Sequence, residues 1–161
     1  MTNRQTMLAG GAVGTLWALA VVWLPGQGVQ PFIPVNLALI YAFLPAGLVM
    51  MLLIGRIALR RFNNEELMDG AAPGPGTPAE VDQRVLRSTT EQAVLALLLW
   101  PFIAMSLGAT TVIAMGLSFG LARLVFWAGY HVSPPLRMLG FAASFYPTLL
   151  GTLWALWRFL T

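Results

Sequence analysis

The stretch Ala109–Tyr130, ATTVIAMGLSFGLARLVFWAGY, sets the reading of the whole chain: 22 residues with a single charge, Arg123. A helix needs about 20 mainly apolar residues to cross roughly 30 Å of hydrocarbon, and this segment meets that length. Four further runs of the same kind surround it, at Met7–Leu24, Pro34–Leu59, Thr89–Leu107 and Met138–Leu160. They take up most of the 161 residues, of which 58% are hydrophobic and only 9% charged. Water-soluble domains carry about a quarter charged residues. The expected fold is therefore all-α: a multi-pass transmembrane up-and-down helix bundle, with residues 1–161 forming one membrane domain.

The missing residue types limit the chemistry. The chain has no cysteine and no lysine, one histidine (His131), and nine positive charges that are all arginine. Disulfides, thiolate zinc sites, a protein thiol nucleophile, multi-histidine metal sites and Schiff-base catalysis are excluded on composition. No metal is expected. Any reactive group has to arrive with a substrate or cofactor.

Arginine-rich short loops stay on the cytoplasmic side of a membrane. With five spans, one face receives Arg4, Arg56, Arg60, Arg61, Arg84, Arg87, Arg123 and Arg137, and the other only Arg158. The expected location is integral and multi-pass, in the inner membrane if the source is bacterial, with the arginine-rich loops cytoplasmic and the C-terminus outside. Nucleic acid is not expected as a partner, because the arginines are spread at membrane depth rather than over one soluble surface. The first run could be a cleaved signal peptide behind Arg4. No small-residue A-x-A site leads into Pro25-Gly26-Gln27-Gly28, however, and the run exceeds a usual signal core, so a retained anchor is expected.

The long polar stretch, Arg61–Arg87, forms the expected cytoplasmic loop and the opening of span three. Its cluster Asp69–Pro78 holds three prolines and three glycines, which forbid a continuous helix. Glu80–Arg87 then reads as the opening turn of span three. Pro45, Pro101 and Pro147 lie inside spans, where they are expected to kink helices. The other connections are short turns, which force antiparallel neighbours.

Charges within spans are costly, which makes their helical phase informative. Arg84, Arg87, Ser88 and Glu91 recur at i, i+3, i+4 and i+7, one stripe of a helix. Spacing alone allows an internal Arg87–Glu91 pair. Arg123, Phe126, Trp127 and Tyr130 repeat the same interval on span four. Taken alone, Arg123 reads as snorkelling outward, with Trp127 and Tyr130 as interface anchors. Arg137 and the span-two arginines read singly as topology charges. Arg60 and Arg61 stay with that reading, while Arg56 lies one turn deeper. The Ser144, Thr148 and Thr152 ridge reads as helix packing. Together, Arg56, Arg84, Arg87, Glu91, Arg123, Tyr130 and Arg137 fall near one end of four spans. Several cations, a carboxylate and a phenol at one depth describe a pocket for a small, mainly anionic ligand.

The stripe Arg84-x-x-Arg87-Ser88-x-x-Glu91 resembles the R-x-x-x-N-x-x-E signature of the MAPEG family, the membrane-associated proteins in eicosanoid and glutathione metabolism. Arg123-x6-Tyr130-x6-Arg137 is similar to the family's second signature. The segments Thr90–Ala96 and Phe126–His131 resemble its bacterial branch. The resemblance covers 34–160, the four family helices, and leaves Met7–Leu24 as an extra N-terminal span. It implies a homotrimer with glutathione as cosubstrate, bound between subunits. Arg84 and Glu91 would hold the tripeptide; Arg87 and Arg123, placed at the same depth by the reading of the charges, join them in the expected binding set. Ser88 stands where the family has asparagine, and Phe126 where one branch has a ligand-binding tyrosine. Tyr130 matches a binding tyrosine, Arg56 an arginine that reaches the ligand's carboxylate from the adjacent chain, and Arg137 the catalytic arginine credited with stabilising the thiolate.

The residue chemistry agrees: arginine forks suit carboxylates, Glu91 suits an ammonium, and a fixed cation lowers the pKa of a thiol that is ordinarily near 8.5. The leading expectation is a glutathione-dependent transferase or peroxidase acting on lipophilic small molecules drawn from membrane lipid. The alternative is a non-enzymatic lipid- or glutathione-binding protein of the same fold. A transporter is disfavoured because the span centres carry few polar groups.

Overall fold

The computed structural model describes residues 3–27 and 30–161; the side chain of Arg4, counted above among the topology charges, lies outside the description, as do two residues of the turn after span one. The helices are α1 (Asn3–Trp23), α2 (Val35–Phe62), α3 (Glu65–Met68), α4 (Pro78–Leu107), α5 (Ala109–Val132) and α6 (Pro134–Leu160). A short 3-10 turn, Leu24–Gly26, ends α1. All but α3 are long and apolar enough to cross a membrane, and no strand occurs among the described residues. The all-α, five-span expectation holds.

One element begins earlier than its apolar run. Glu80–Arg87 opens span three as expected, within one unbroken helix that starts at Pro78. Its start is specified locally. Pro78 needs no hydrogen-bond partner in the first turn, Thr77 Oγ1 accepts from the Glu80 amide at 3.3 Å, and Glu80 Oε2 accepts from the Gly76 amide at 2.7 Å. Two turns of polar helix thus carry Asp82, Arg84 and Arg87 down to the membrane in fixed register with the apolar part. Helices α2, α4 and α6 continue through Pro45, Pro101 and Pro147.

Helix α5 is central, packing against α1, α2, α4 and α6. Small residues allow this. Gly120 faces Pro45 of α2, where an added Cβ would sit 2.6 Å from the proline Cβ. On the outside of the bundle, α1 lies along α6 through Gly10, Gly11 and Gly14, and a Cβ at Gly14 would come 2.5 Å from that of Ala142. Trp17 of α1 also donates to Ser118 Oγ of α5 at 2.7 Å.

The interior divides into two apolar clusters. The larger contains Ala42, Ala46, Trp100, Ile103, Met115 and Phe119. Trp100 stacks on Phe43 with centroids 5.4 Å apart, meets Phe119 edge-on at 6.0 Å, and donates to Thr148 Oγ1 at 3.0 Å. Thr148 therefore belongs to packing, as its ridge suggested. The smaller cluster, nearer the arginine-rich end, joins Val49, Leu53, Val85 and Phe126 to Trp127, Tyr130 and Phe141.

Candidate functional site

Helix α4 sorts its residues by phase. Asp82, Val85, Thr89, Gln92, Ala96, Trp100 and Ile103 form the buried stripe. Arg84, Arg87 and Glu91 fall on the opposite, exposed side, with Ser88 half-buried between the two faces. Arg84 is paired with Glu80 one turn back, and Arg87 Nε meets Glu91 Oε1 at 3.2 Å. The internal pair allowed by spacing is therefore formed, with the Arg87 and Glu91 side chains 84% and 63% exposed. An exposed i,i+4 pair of this kind is readily exchanged for a ligand contact.

Three helices meet around Tyr130. Its ring packs edge-on against Phe126 at 5.3 Å, the Arg137 guanidinium of α6 lies 4.9 Å from its centroid, and Arg84 of α4 interacts with its side chain. The approach of α5 and α6 that produces this stacking depends on Gly129, whose missing Cβ leaves room for the backbone of Arg137. Arg137 has no carboxylate partner among the described residues. Its charge is supported only by an aromatic face and remains available to an anion.

Arg123 does not snorkel. It is fully buried, because its side of α5 is covered by the neighbouring helices and offers no lipid-facing route. Its Nη2 donates to the Ser88 carbonyl at 2.9 Å and to Ser88 Oγ at 3.2 Å, and its guanidinium stacks 4.7 Å from the Phe126 centroid. The remaining nitrogens, Nε and Nη1, are buried without a hydrogen-bond partner among the described residues, as are both amide atoms of Gln92. Arg123 is thus tied to Ser88 of the α4 stripe from the inside, while Arg84, Arg87 and Glu91 flank the same stretch from the outside.

Arg56 stands apart. It lines a cleft of about 740 Å³ between the end of α2 and the following loop, together with Arg60 and Asn63. Arg84, Arg87 and Glu91 line a different, open groove of about 1110 Å³ with Arg61. Within one chain the two sets line separate openings.

Asp82 escaped the reading of charges by stripe. It is fully buried and accepts from Arg56 Nε at 3.0 Å, Arg60 Nε at 2.6 Å and Trp127 Nε1 at 2.9 Å. Arg60 is consequently more than a topology charge. A signal was present: continuing the apolar phase of α4 backwards from Trp100 by sevens and fours lands on Asp82. Among the described residues no group of three or more His, Cys, Asp or Glu gathers into a metal-binding cluster.

A helical bundle with five membrane-length helices and a cationic, tyrosine-centred site at one end defines an integral, multi-pass membrane protein. Residues 37–157 match the MAPEG family, and the chain belongs to it. Helix α1 lies outside the matched segment. No curated protein and no solved structure matches the chain.

Proposed function

We propose that this protein is a membrane-bound glutathione-dependent transferase or peroxidase acting on lipophilic electrophiles or hydroperoxides, assembled as a homotrimer. The observation that carries the reading is the meeting of Arg84, Tyr130 and Arg137 from three helices, with Arg137 free of any carboxylate among the described residues. Glutathione brings two carboxylates, one ammonium and one thiol. Arg84 and Arg87 engage carboxylate, Glu91 engages the ammonium, and Tyr130 hydrogen-bonds the peptide. Arg123 holds Ser88 in place and adds positive charge behind it. Arg56, in its own cleft, reaches the ligand of a neighbouring copy.

Arg137 acts on the thiol. A fixed guanidinium favours the thiolate over the thiol, lowering a pKa that is otherwise near 8.5. The thiolate sulfur then forms a C–S bond with an electrophile that arrives through the lipid; with an aryl halide the carbon–halogen bond breaks and halide leaves. With a hydroperoxide it instead attacks the O–O bond, and a second glutathione completes the reduction to alcohol, water and the disulfide. Arginine itself keeps its proton throughout.

The test is conjugation of glutathione to a lipophilic aryl halide by the purified protein in detergent. Arg137→Ala should lower kcat by about 10²-fold, a typical cost of losing one electrostatic stabiliser. The kcat–pH profile of that variant should also move upward towards the free thiol value of about 8.5. Full turnover with an unmoved profile removes Arg137 from the reaction.

A second reading, a non-enzymatic lipid- or glutathione-binding protein, is favoured by two observations: the Ser88 hydroxyl is already engaged by buried Arg123, and Phe126 offers no hydroxyl. Bound ligand without turnover in the same assay selects it.

A further inference from the structure

Asp82 has no part in the site described above, yet it gathers side chains from two other helices. Its Oδ2 accepts from both Arg56 and Arg60 of α2, and its Oδ1 from Trp127 of α5. A carboxylate with no solvent exposure needs such donors to remain charged. What it gives in return is orientation. A guanidinium is a rigid plane with five N–H groups, and fixing Nε on a buried oxygen fixes that plane. The Arg56 guanidinium is held a second time, 5.1 Å from the centroid of the Trp127 ring.

Both arginines line the cleft between the end of α2 and the following loop. Their terminal nitrogens carry no hydrogen bond or ion pair among the described residues, since each uses only Nε on Asp82. One carboxylate shared by two guanidiniums leaves a net positive charge on the trio. The arrangement is two pre-oriented forks at one cleft, a geometry suited to a carboxylate and paid for by a buried counter-ion rather than by ordering on binding.

We infer that Asp82 is a positioning residue and Arg60 a second anion-binding residue: together with Arg56 they form a clamp for one carboxylate of the tripeptide. The inference rests on the glutathione reading above. Because Arg56 and Arg84 open onto different clefts of one chain, the clamp serves a ligand whose other groups are held by a neighbouring copy. Asp82 touches neither the thiol nor the ligand.

The experiment is calorimetric titration of the full-length protein in detergent with glutathione and with its two monoethyl esters, one blocked at each carboxylate. The wild type should bind glutathione about tenfold more tightly than one of the esters, the scale of a charge-assisted hydrogen bond. Asp82→Asn keeps size and one acceptor oxygen but loses the charge. It should bring that ratio to about one by weakening glutathione and leaving the ester unchanged. Arg60→Gln, which preserves the Asp82 contacts with Arg56 and Trp127, should reduce the ratio part of the way, and it decides the matter if Asp82→Asn does not fold. A wild-type ratio in these variants overturns the inference. So does an equal loss of affinity for glutathione and both esters, which is the signature of a general scaffold role. A wild-type protein that binds neither glutathione nor its esters removes the functional reading itself, and the clamp with it.

Discussion

At the scale of single residues, the charges of this chain are distinguished by where their helices put them rather than by type. Arg87 and Arg123 are both arginines near one end of a span, yet one is largely in solvent and the other fully buried. Arg123 is held by two bonds from one nitrogen to Ser88, while its other nitrogens remain unpaired. A buried charge with so few partners depends heavily on those it has. Ser88→Ala removes the hydroxyl contact and keeps the carbonyl one. It should destabilise the protein by about 1–2 kcal/mol, seen as a lower Tm in detergent. Ser88→Asn should recover stability if its longer amide reaches the Arg123 nitrogens that lack partners, and the same thermal melt decides it. Of the site, the positions of Arg84, Tyr130 and Arg137 at one depth were legible from spacing. The burial of Arg123 was not, because snorkelling and burial share one pattern and differ only in what packs against the helix.

At the scale of elements, α4 and α1 show two different ways of fixing a helix. The start of α4 is written in four residues, Gly76 to Ala79 with Glu80 behind them, through the Thr77 cap and the Glu80 return contact. Thr77→Ala should cost about 1 kcal/mol and fray the turns that carry Asp82 and Arg84. Faster amide exchange over 78–84 than over 96–104 is the expected measurement. Helix α1 is placed instead by absent side chains. Gly14→Leu cannot be accommodated against Ala142, so α1 should separate from α6. Increased protease sensitivity of the N-terminal segment, with residues 35–160 still folded, is the expected result. The proline and glycine cluster before α4 made the break in the chain readable. The polar first turns of α4 were legible from Glu80, two residues past its start at Pro78, although hydropathy by itself begins the span only at Thr89.

At the scale of the whole molecule, the absence of cysteine makes topology directly measurable. If the arginine-rich end is cytoplasmic, Asn64→Cys should react with a membrane-impermeant thiol reagent only in inside-out vesicles, and Gln27→Cys only in right-side-out vesicles. The opposite pattern would invert the orientation and place the proposed glutathione site on the outside. Crosslinking in the membrane before detergent is added should give a trimer ladder, since the leading reading needs a neighbouring copy to bring Arg56 and Arg60 to the ligand. By itself the sequence determined that the chain is all-α, that five helices are long enough to span a bilayer, and that one end is cationic. Those properties follow from chain length against hydrocarbon thickness and from the cost of placing charge in it. Only the tertiary structure decided that Asp82 anchors two arginines and a tryptophan, that Arg123 points inward, and that Arg56 and Arg84 open onto separate clefts. Hydropathy records that a helix lies in the membrane; which of its faces meets protein and which meets lipid depends on the helices beside it.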